Sequence, residues 1–168
     1  MLEKEEEEMA SIVSDHVPAL GGHERAEIGG ELQATLLELT ALTLIGKQLH
    51  WSVVGPRFRA LHPYLDELID SWRDLADDVA ERAVALGIWP DGQPDIVATD
   101  GKVRRVTPGP VEDRIVVHEL VTRVGEVAER ARVRMDRLAE LDAVSQDVLV
   151  QVVRALEEQL WMIRSQLS

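Results

Sequence analysis

The sequence predicts an all-α protein, a four-helix bundle in which one long crossover joins the second helix to the third. Two observations predict this fold class. Apolar residues recur at helical spacing in four long segments of the 168-residue chain, and a stretch rich in proline and glycine, residues 88–110, separates the second segment from the third. We find no strand pattern and no internal repeat in the sequence.

The first helix is predicted for residues 29–53, where apolar positions alternate in steps of four and three, and GP at 55–56 follows as a terminator. Its buried line is predicted to be Leu32, Leu36, Leu39, Thr43, Gly46 and His50. Residues 1–27 begin MLEKEEEE and show no lasting periodicity. We therefore expect an acidic N-terminal tail, partly mobile, ahead of one helical domain at residues 28–168.

The second helix is predicted for residues 58–86. Pro63 lies in its first turns, where backbone donors lack partners inside the helix, and Gly87 supplies the stop. Its apolar face is predicted to contain Leu61, Leu65, Leu68, Ile69, Trp72, Leu75, Ala76, Val79, Ala83 and Leu86.

The third and fourth helices are predicted for residues 111–138 and 146–167. Pro110 stands near the start of the third, and either Asp142 or Ser145 is a candidate N-cap for the fourth. A long crossover joins helices that run parallel, so four long helices connected in this way describe a ferritin-like four-helix bundle.

Composition narrows the possible chemistry. The chain has no cysteine, which excludes disulfides, thiolate metal sites and a cysteine nucleophile, so any bound metal must be held by nitrogen and oxygen. The formal net charge is −13, from 18 basic and 31 acidic residues, which disfavours nucleic acid and favours cations as partners. No signal-peptide core and no uninterrupted apolar run of membrane-spanning length are present, so we expect a cytoplasmic protein.

Four potential metal ligands, His62, Asp66, Asp77 and Glu81, follow one face of the second helix. With His62 at zero and a rotation of about 100° per residue, Asp66 lies at about 40°, Asp77 at about 60° and Glu81 at about 100°. They cannot share one site, because His62 and Glu81 are about 28 Å apart along the helix axis. The spacing therefore predicts two half-sites on one helix.

A second copy of the chain could complete both half-sites. In an antiparallel crossing near residues 71 and 72, facing positions carry numbers that add up to 143, so that His62 meets Glu81 and Asp66 meets Asp77. His50, at the end of the first helix, could complete the set. Imidazole and carboxylate ligands suit iron. The alternative is an ordinary solvated helix face, on which aspartates also recur every four residues.

Two linked motifs resemble the Dps family, the small ferritin-like proteins named as DNA-binding proteins from starved cells. The first is HW-x-V-x-G-x5-LH-x3-D, residues 50–66, and the second is DDVAER, residues 77–82. LW-x-I-R near the C-terminus also matches, and the resemblance covers residues 29–167. It implies a hollow homododecamer with a ferroxidase site at each two-fold dimer interface.

The resemblance also implies the roles of individual residues. His50, His62 and Asp66 would come from one subunit, and Asp77 and Glu81 from the other. Family members oxidise Fe²⁺, generally with hydrogen peroxide, and store Fe³⁺ mineral in the cage, which protects the cell from oxidative damage. Trp51 matches a family tryptophan near the site that could quench or relay an oxidising equivalent, although plain packing explains it equally well. Lys47 matches a residue close to the site in some members.

The N-terminal tail departs from the family pattern. Members that bind DNA tightly often use basic tails, whereas this tail is acidic, so we expect DNA binding to be absent or weak. The competing interpretations are a nucleoid-binding structural protein and a bundle with a damaged site that only assembles. Three smaller sets of residues are also candidates: a basic patch of Lys102, Arg104 and Arg105, a second metal site at His16 and His23 with Asp15 and Glu24, and pore carboxylates at Glu119, Glu126 and Glu129.

Overall fold

The computed structural model describes residues 20–167. The elements in chain order are α1 (Gly22–Ser52), β1 (Val53–Val54), α2 (Phe58–Ala85), α3 (Pro94–Asp100), β2 (Val111–Glu112), α4 (Asp113–Leu138), α5 (Ala143–Arg164) and a final 3₁₀ turn (Ser165–Leu167). The four long helices α1, α2, α4 and α5 form a bundle, and the crossover with one short helix lies between α2 and α4. The predicted all-α, ferritin-like fold is confirmed.

Helix α1 begins at Gly22, earlier than the predicted start at residue 29. The Glu24 side chain accepts a hydrogen bond from the Gly21 backbone N–H at 3.0 Å, which satisfies a donor at the helix N-terminus. The sequence-based start is wrong because polar capping, rather than apolar periodicity, sets this end. Residues 1–19, with most of the predicted acidic tail, lie outside the described residues.

The predicted apolar line of α1 is buried. Leu32 and Leu39 have no exposed surface, and His50 is only 8% exposed. Gly46 lies on this line where α1 approaches α2, and a Cβ added there would be 2.6 Å from the Trp72 ring. Glycine is therefore needed for the close approach of the two helices. By length and composition α1 could cross a membrane, but 61% of its most apolar window is buried inside the bundle, as in a core helix.

Helix α2 follows the prediction closely. Pro63 lies within its first turns, and Gly87, with φ of +71°, ends it in a conformation that glycine adopts without strain. Trp72 is fully buried, and its indole N–H donates to the Gln159 side-chain oxygen of α5 at 2.8 Å. Gln159 in turn donates to Ser71 at 2.9 Å. The bundle core therefore holds this large polar-tipped aromatic side chain with a satisfied hydrogen bond.

Two contacts hold the crossover against the bundle. The buried Arg123 guanidinium donates to the carbonyls of Arg104 and Arg105 at 2.9 and 3.0 Å, and Gln33 exchanges two hydrogen bonds with the Asp91 backbone. Between these points α3 packs on α1 through a small apolar cluster of Leu37, Ala41 and Val97. The crossover is thus fixed to helices on both sides.

The expectation of no strands is wrong in one detail. Val53–Val54 and Val111–Glu112 pair in parallel, with Val53 opposite Val111 and Val54 opposite Glu112. Two-residue strands are too short to show alternation in sequence. They form because the crossover returns the chain to the end of the bundle where α1 stops.

Helix α5 starts at Ala143 rather than at residue 146, and Asp142 is its N-cap. The Asp142 carboxylate accepts from the Ser145 backbone N–H at 2.9 Å and from Arg82 at 2.7 Å. Burial opposes ionisation of Asp142, but hydrogen bonds from Ser145 and Arg82 outweigh it and hold the pKa of Asp142 below its usual value. Of the two candidate caps, Asp142 is therefore the one that acts, and Ser145 donates to it.

Candidate metal centre

The end of α1 and the start of α2 bring together His50, His62 and Asp66. The turn between the helices brings the His50 and His62 rings into contact, with centroids 3.7 Å apart and planes tilted by 39°. Asp66 lies one helical turn beyond His62, and its Oδ1 is 3.1 Å from His50 Nδ1. Three side chains of the kind that bind iron thus lie near one another within a single chain, although they do not by themselves form a metal site.

Two contacts orient the His62 ring. Its Nδ1 lies 3.2 Å from the His50 carbonyl oxygen, which can only accept a hydrogen bond, so this contact favours the tautomer with the proton on Nδ1 and the lone pair on Nε2. Phe58, one turn earlier on α2, also packs against the ring, with centroids 4.8 Å apart. The sequence analysis missed Phe58, although its spacing of four from His62 on a helix predicts this contact.

His50 is prepared to act as a ligand. Burial lowers the pKa of His50 below its usual value, and the Asp66 carboxylate offsets this only in part. A lowered pKa keeps the imidazole neutral to lower pH than in an exposed histidine, and the neutral form is the one that binds metal. His50 Nδ1 is also buried and has no hydrogen-bond partner of good geometry among the described residues, despite the nearby Asp66 oxygen. A buried ring nitrogen without a hydrogen-bond partner is consistent with a role of His50 as a metal ligand.

The Lys47 ammonium group forms a salt bridge with the Asp66 carboxylate in this structure. Its Nζ is 2.6 Å from Asp66 Oδ1, and this hydrogen bond holds the pKa of Asp66 below its usual value. Asp66 is therefore ionised throughout the neutral range. A cation bound at Asp66 would compete with the Lys47 ammonium for the same oxygen.

Asp77 and Glu81 lie on the same face of α2 but further along the helix, and both are exposed. Within residues 20–167, no three histidine, aspartate or glutamate side chains are arranged to hold a metal ion. The two half-sites predicted from spacing are therefore not tested by the single chain. The roles of the five residues as ligands remain predictions.

The other predicted residues are spread over the surface. Trp51 is 70% exposed, so packing within its own chain does not explain it. His23 is exposed and paired with Glu27 at 3.2 Å, while Glu24 caps α1; His16 and Asp15 lie outside the described residues. Among the suggested pore and patch residues, Glu119 pairs with Arg123, Glu126 pairs with Arg104, and Glu129, Lys102 and Arg105 are exposed.

Comparison with known proteins decides the family. The ferritin family model, described as a ferritin-like domain, matches residues 29–168. The DNA protection during starvation protein of Mycolicibacterium smegmatis is 33% identical over 162 residues, which cover 94% of this chain and 86% of that protein. The chain belongs to the Dps family of ferritin-like proteins.

Solved Dps structures share the whole fold. The tetragonal form of Mycobacterium smegmatis Dps superimposes with a TM-score of 0.86 at 31% identity, covering 91% of this chain and 93% of that one. A further relative, the fine tangled pili major subunit of Haemophilus ducreyi, is 37% identical over 92% of this chain and 82% of its own length. Dps structures are dodecameric cages, and the Dps family in general is one of iron storage and DNA protection.

Proposed function

We propose that this Dps protein is a ferroxidase and iron-storage protein. It oxidises Fe²⁺, preferably with hydrogen peroxide, at sites shared between two subunits, and stores the Fe³⁺ product as mineral inside a homododecameric cage. The setting is the bacterial cytoplasm, where its Dps relatives are found. Removing ferrous iron and peroxide together protects the cell from oxidative damage.

The observation that carries this proposal is the proximity of His50, His62 and Asp66 at the α1–α2 turn. His50 is buried with a lowered pKa, the contact of His62 with the His50 carbonyl favours a lone pair on Nε2, and Asp66 is ionised. Asp77 and Glu81 stand exposed on the same helix face, as they must if they serve a second chain. The donor set of two imidazoles and three carboxylates suits Fe²⁺, and its hard oxygens suit the Fe³⁺ that forms.

The reaction needs little from the protein beyond placing iron and admitting the oxidant. Two Fe²⁺ ions lose one electron each, hydrogen peroxide accepts both electrons, and with two protons its O–O bond is cleaved to give two water molecules. Carboxylates offset the charge that each iron gains on oxidation. The His62–Phe58 and His62–His50 contacts hold the imidazoles in place, so that no reorientation is needed when iron arrives.

The direct test is anaerobic Fe²⁺ titration followed by addition of peroxide. We expect His50→Ala/His62→Ala to lose rapid oxidation by at least about a hundredfold, because both nitrogen ligands of each site are removed. The control is His118→Ala, which removes an exposed histidine outside the predicted ligand sets and should leave the rate unchanged. Oxidation by the first variant at the wild-type rate would show that iron is oxidised elsewhere.

DNA protection is a second part of the proposal, because the Mycolicibacterium smegmatis relative is named a DNA protection during starvation protein. We propose that protection here is chemical and that direct DNA binding is weak, since the chain carries a formal charge of −13 and Arg104 is already paired with Glu126. In a gel-shift assay at low salt and neutral pH, the metal-free cage should leave duplex DNA unretarded. Strong retardation that disappears with added salt would instead support the nucleoid-binding function.

A further inference from the structure

Asp70 and Arg73 form a pair of opposite charges in the middle of the α2 face that carries the predicted metal ligands. On the same angular scale, with His62 at zero, Arg73 lies at about 20° and Asp70 at about 80°, within the arc of the four predicted ligands. Arg73 is the one lysine or arginine in the sequence between His62 and Glu81. The Arg73 and Asp70 side chains are mostly exposed, with 57% and 70% of their surfaces accessible, and they contact each other at 3.2 Å within the chain.

The numbering of this pair matches the two-fold crossing. Facing positions in the antiparallel arrangement add up to 143, and Asp70 and Arg73 satisfy the same relation as the predicted ligand pairs. In that arrangement, Asp70 of one chain would face Arg73 of the partner subunit, and Arg73 would face Asp70 of the partner subunit. A two-fold axis makes the two contacts identical.

We propose that Asp70 and Arg73 form a reciprocal pair of salt bridges across the two-fold axis and set the register of the dimer. This inference rests on the shared-site dimer of the proposed function. It adds the contact that brings the two half-sites into line, and its partner is a second copy of this chain.

The Asp70–Arg73 contact depends less on the crossing angle of the two helices than the contacts between the predicted ligand pairs do. Asp70 and Arg73 each lie only about 2 Å along the axis from the crossing point, whereas His62 and Glu81 lie about 14 Å from it. Helices that cross at an angle diverge with distance from the crossing point, so contacts near the centre hold over a wide range of angles. The central pair can therefore align two chains before any metal bridges them.

Charge gives the reason for such a pair. The same face carries the carboxylates of Asp66, Asp74, Asp77 and Glu81, so two metal-free copies would place rows of like charge against each other. A one-residue slip along the helix would remove both Asp70–Arg73 contacts. In the slip whose facing numbers add up to 144, Asp70 would instead face Asp74 of the partner subunit. Opposite charge at the centre thus favours one register and disfavours the others.

The test uses charge reversal in two separate chains. Asp70→Lys alone sets a new ammonium group against Arg73 of the partner subunit, and Arg73→Glu alone sets a new carboxylate against the partner's Asp70. Each variant should weaken its own metal-free dimer about tenfold at low ionic strength, because two exposed contacts change sign. When the two variants are coexpressed with different tags, both contacts become attractive in the mixed dimer. Native mass spectrometry should then find a ratio of mixed dimers to homodimers about tenfold above the ratio of one that random pairing gives.

A double variant, Asp70→Lys/Arg73→Glu in one chain, is the folding control and should form dimers as the wild type does. If the pair acts only within its own chain, that double variant still behaves normally, but the coexpressed single variants show random pairing, which would overturn the proposal. Failure of the proposed function gives a different result. In that case the mixed dimers are enriched as expected, and wild-type protein fails to oxidise Fe²⁺ at the His50 site.

Discussion

A mixture of two inactive variants, His50→Ala/His62→Ala and Asp77→Ala/Glu81→Ala, regains iron oxidation at about a quarter of the wild-type rate, provided that the site is shared across a two-fold axis. The first variant keeps intact carboxylates for its partner, and the second keeps intact histidines. In a mixed dimer, one of the two sites therefore receives all five ligands and the other receives only Asp66.

The expected fraction follows from counting sites. Random pairing of equal amounts makes half of the dimers mixed, and half of the sites in a mixed dimer are complete, which gives about one site in four. This recovery is specific to a shared site. Five ligands supplied by a single chain would leave both variants inactive in any mixture.

The measurement is stopped-flow absorbance of Fe³⁺ formation after peroxide is added to anaerobically loaded protein. The chains must be exchanged by coexpression or by joint refolding, because assembled cages mixed after purification hold their subunits. That unexchanged mixture is the control and should remain inactive. An exchanged sample that assembles correctly and still fails to oxidise iron would rule out the shared arrangement.

Helical periodicity was sufficient to predict the bundle, because each long helix buries a continuous apolar line. The line from Leu32 to His50 is buried as predicted, and so is the α2 face around Trp72. The start of α1 was misplaced because its cap is polar and precedes the apolar pattern. The β1–β2 pairing could not be predicted, since it depends on where a long crossover returns the chain in space.

Part of the candidate site could also be predicted from regular helix geometry. Fixed helix geometry placed Asp66 one turn from His62, and the α1–α2 turn brought His50 to both of them. The tautomer of His62 and the unsatisfied Nδ1 of His50 depend on local distances that no spacing rule contains. Which chain supplies Asp77 and Glu81 is a property of the assembly, so it stays a prediction until complementation is measured.

Replacing Glu38 by alanine should destabilise the fold by about 3–5 kcal/mol. Glu38 is fully buried on α1 and accepts hydrogen bonds from two arginines of α4. Arg134 donates to both carboxylate oxygens, at 2.7 and 3.2 Å, and Arg130 Nε donates at 2.9 Å. Removing the carboxylate leaves the buried Arg134 guanidinium with Glu31 as its remaining carboxylate partner within residues 20–167, and the nearest Glu31 oxygen is 3.8 Å away.

The size of the effect comes from the unpaired charge rather than from the lost attraction. Two comparisons separate these causes by chemical denaturation at one fixed protein concentration, since oligomer stability depends on concentration. Glu157→Ala breaks an exposed pair with Arg132 and should cost at most about 1 kcal/mol. Glu38→Leu/Arg134→Met removes Glu38 together with the buried Arg134 guanidinium and should be less destabilising than Glu38→Ala alone, because only the partly exposed Arg130 then loses a partner. If instead the double variant is the less stable of the two, the pair itself stabilises α1 against α4, and the desolvation argument for Glu38 is wrong.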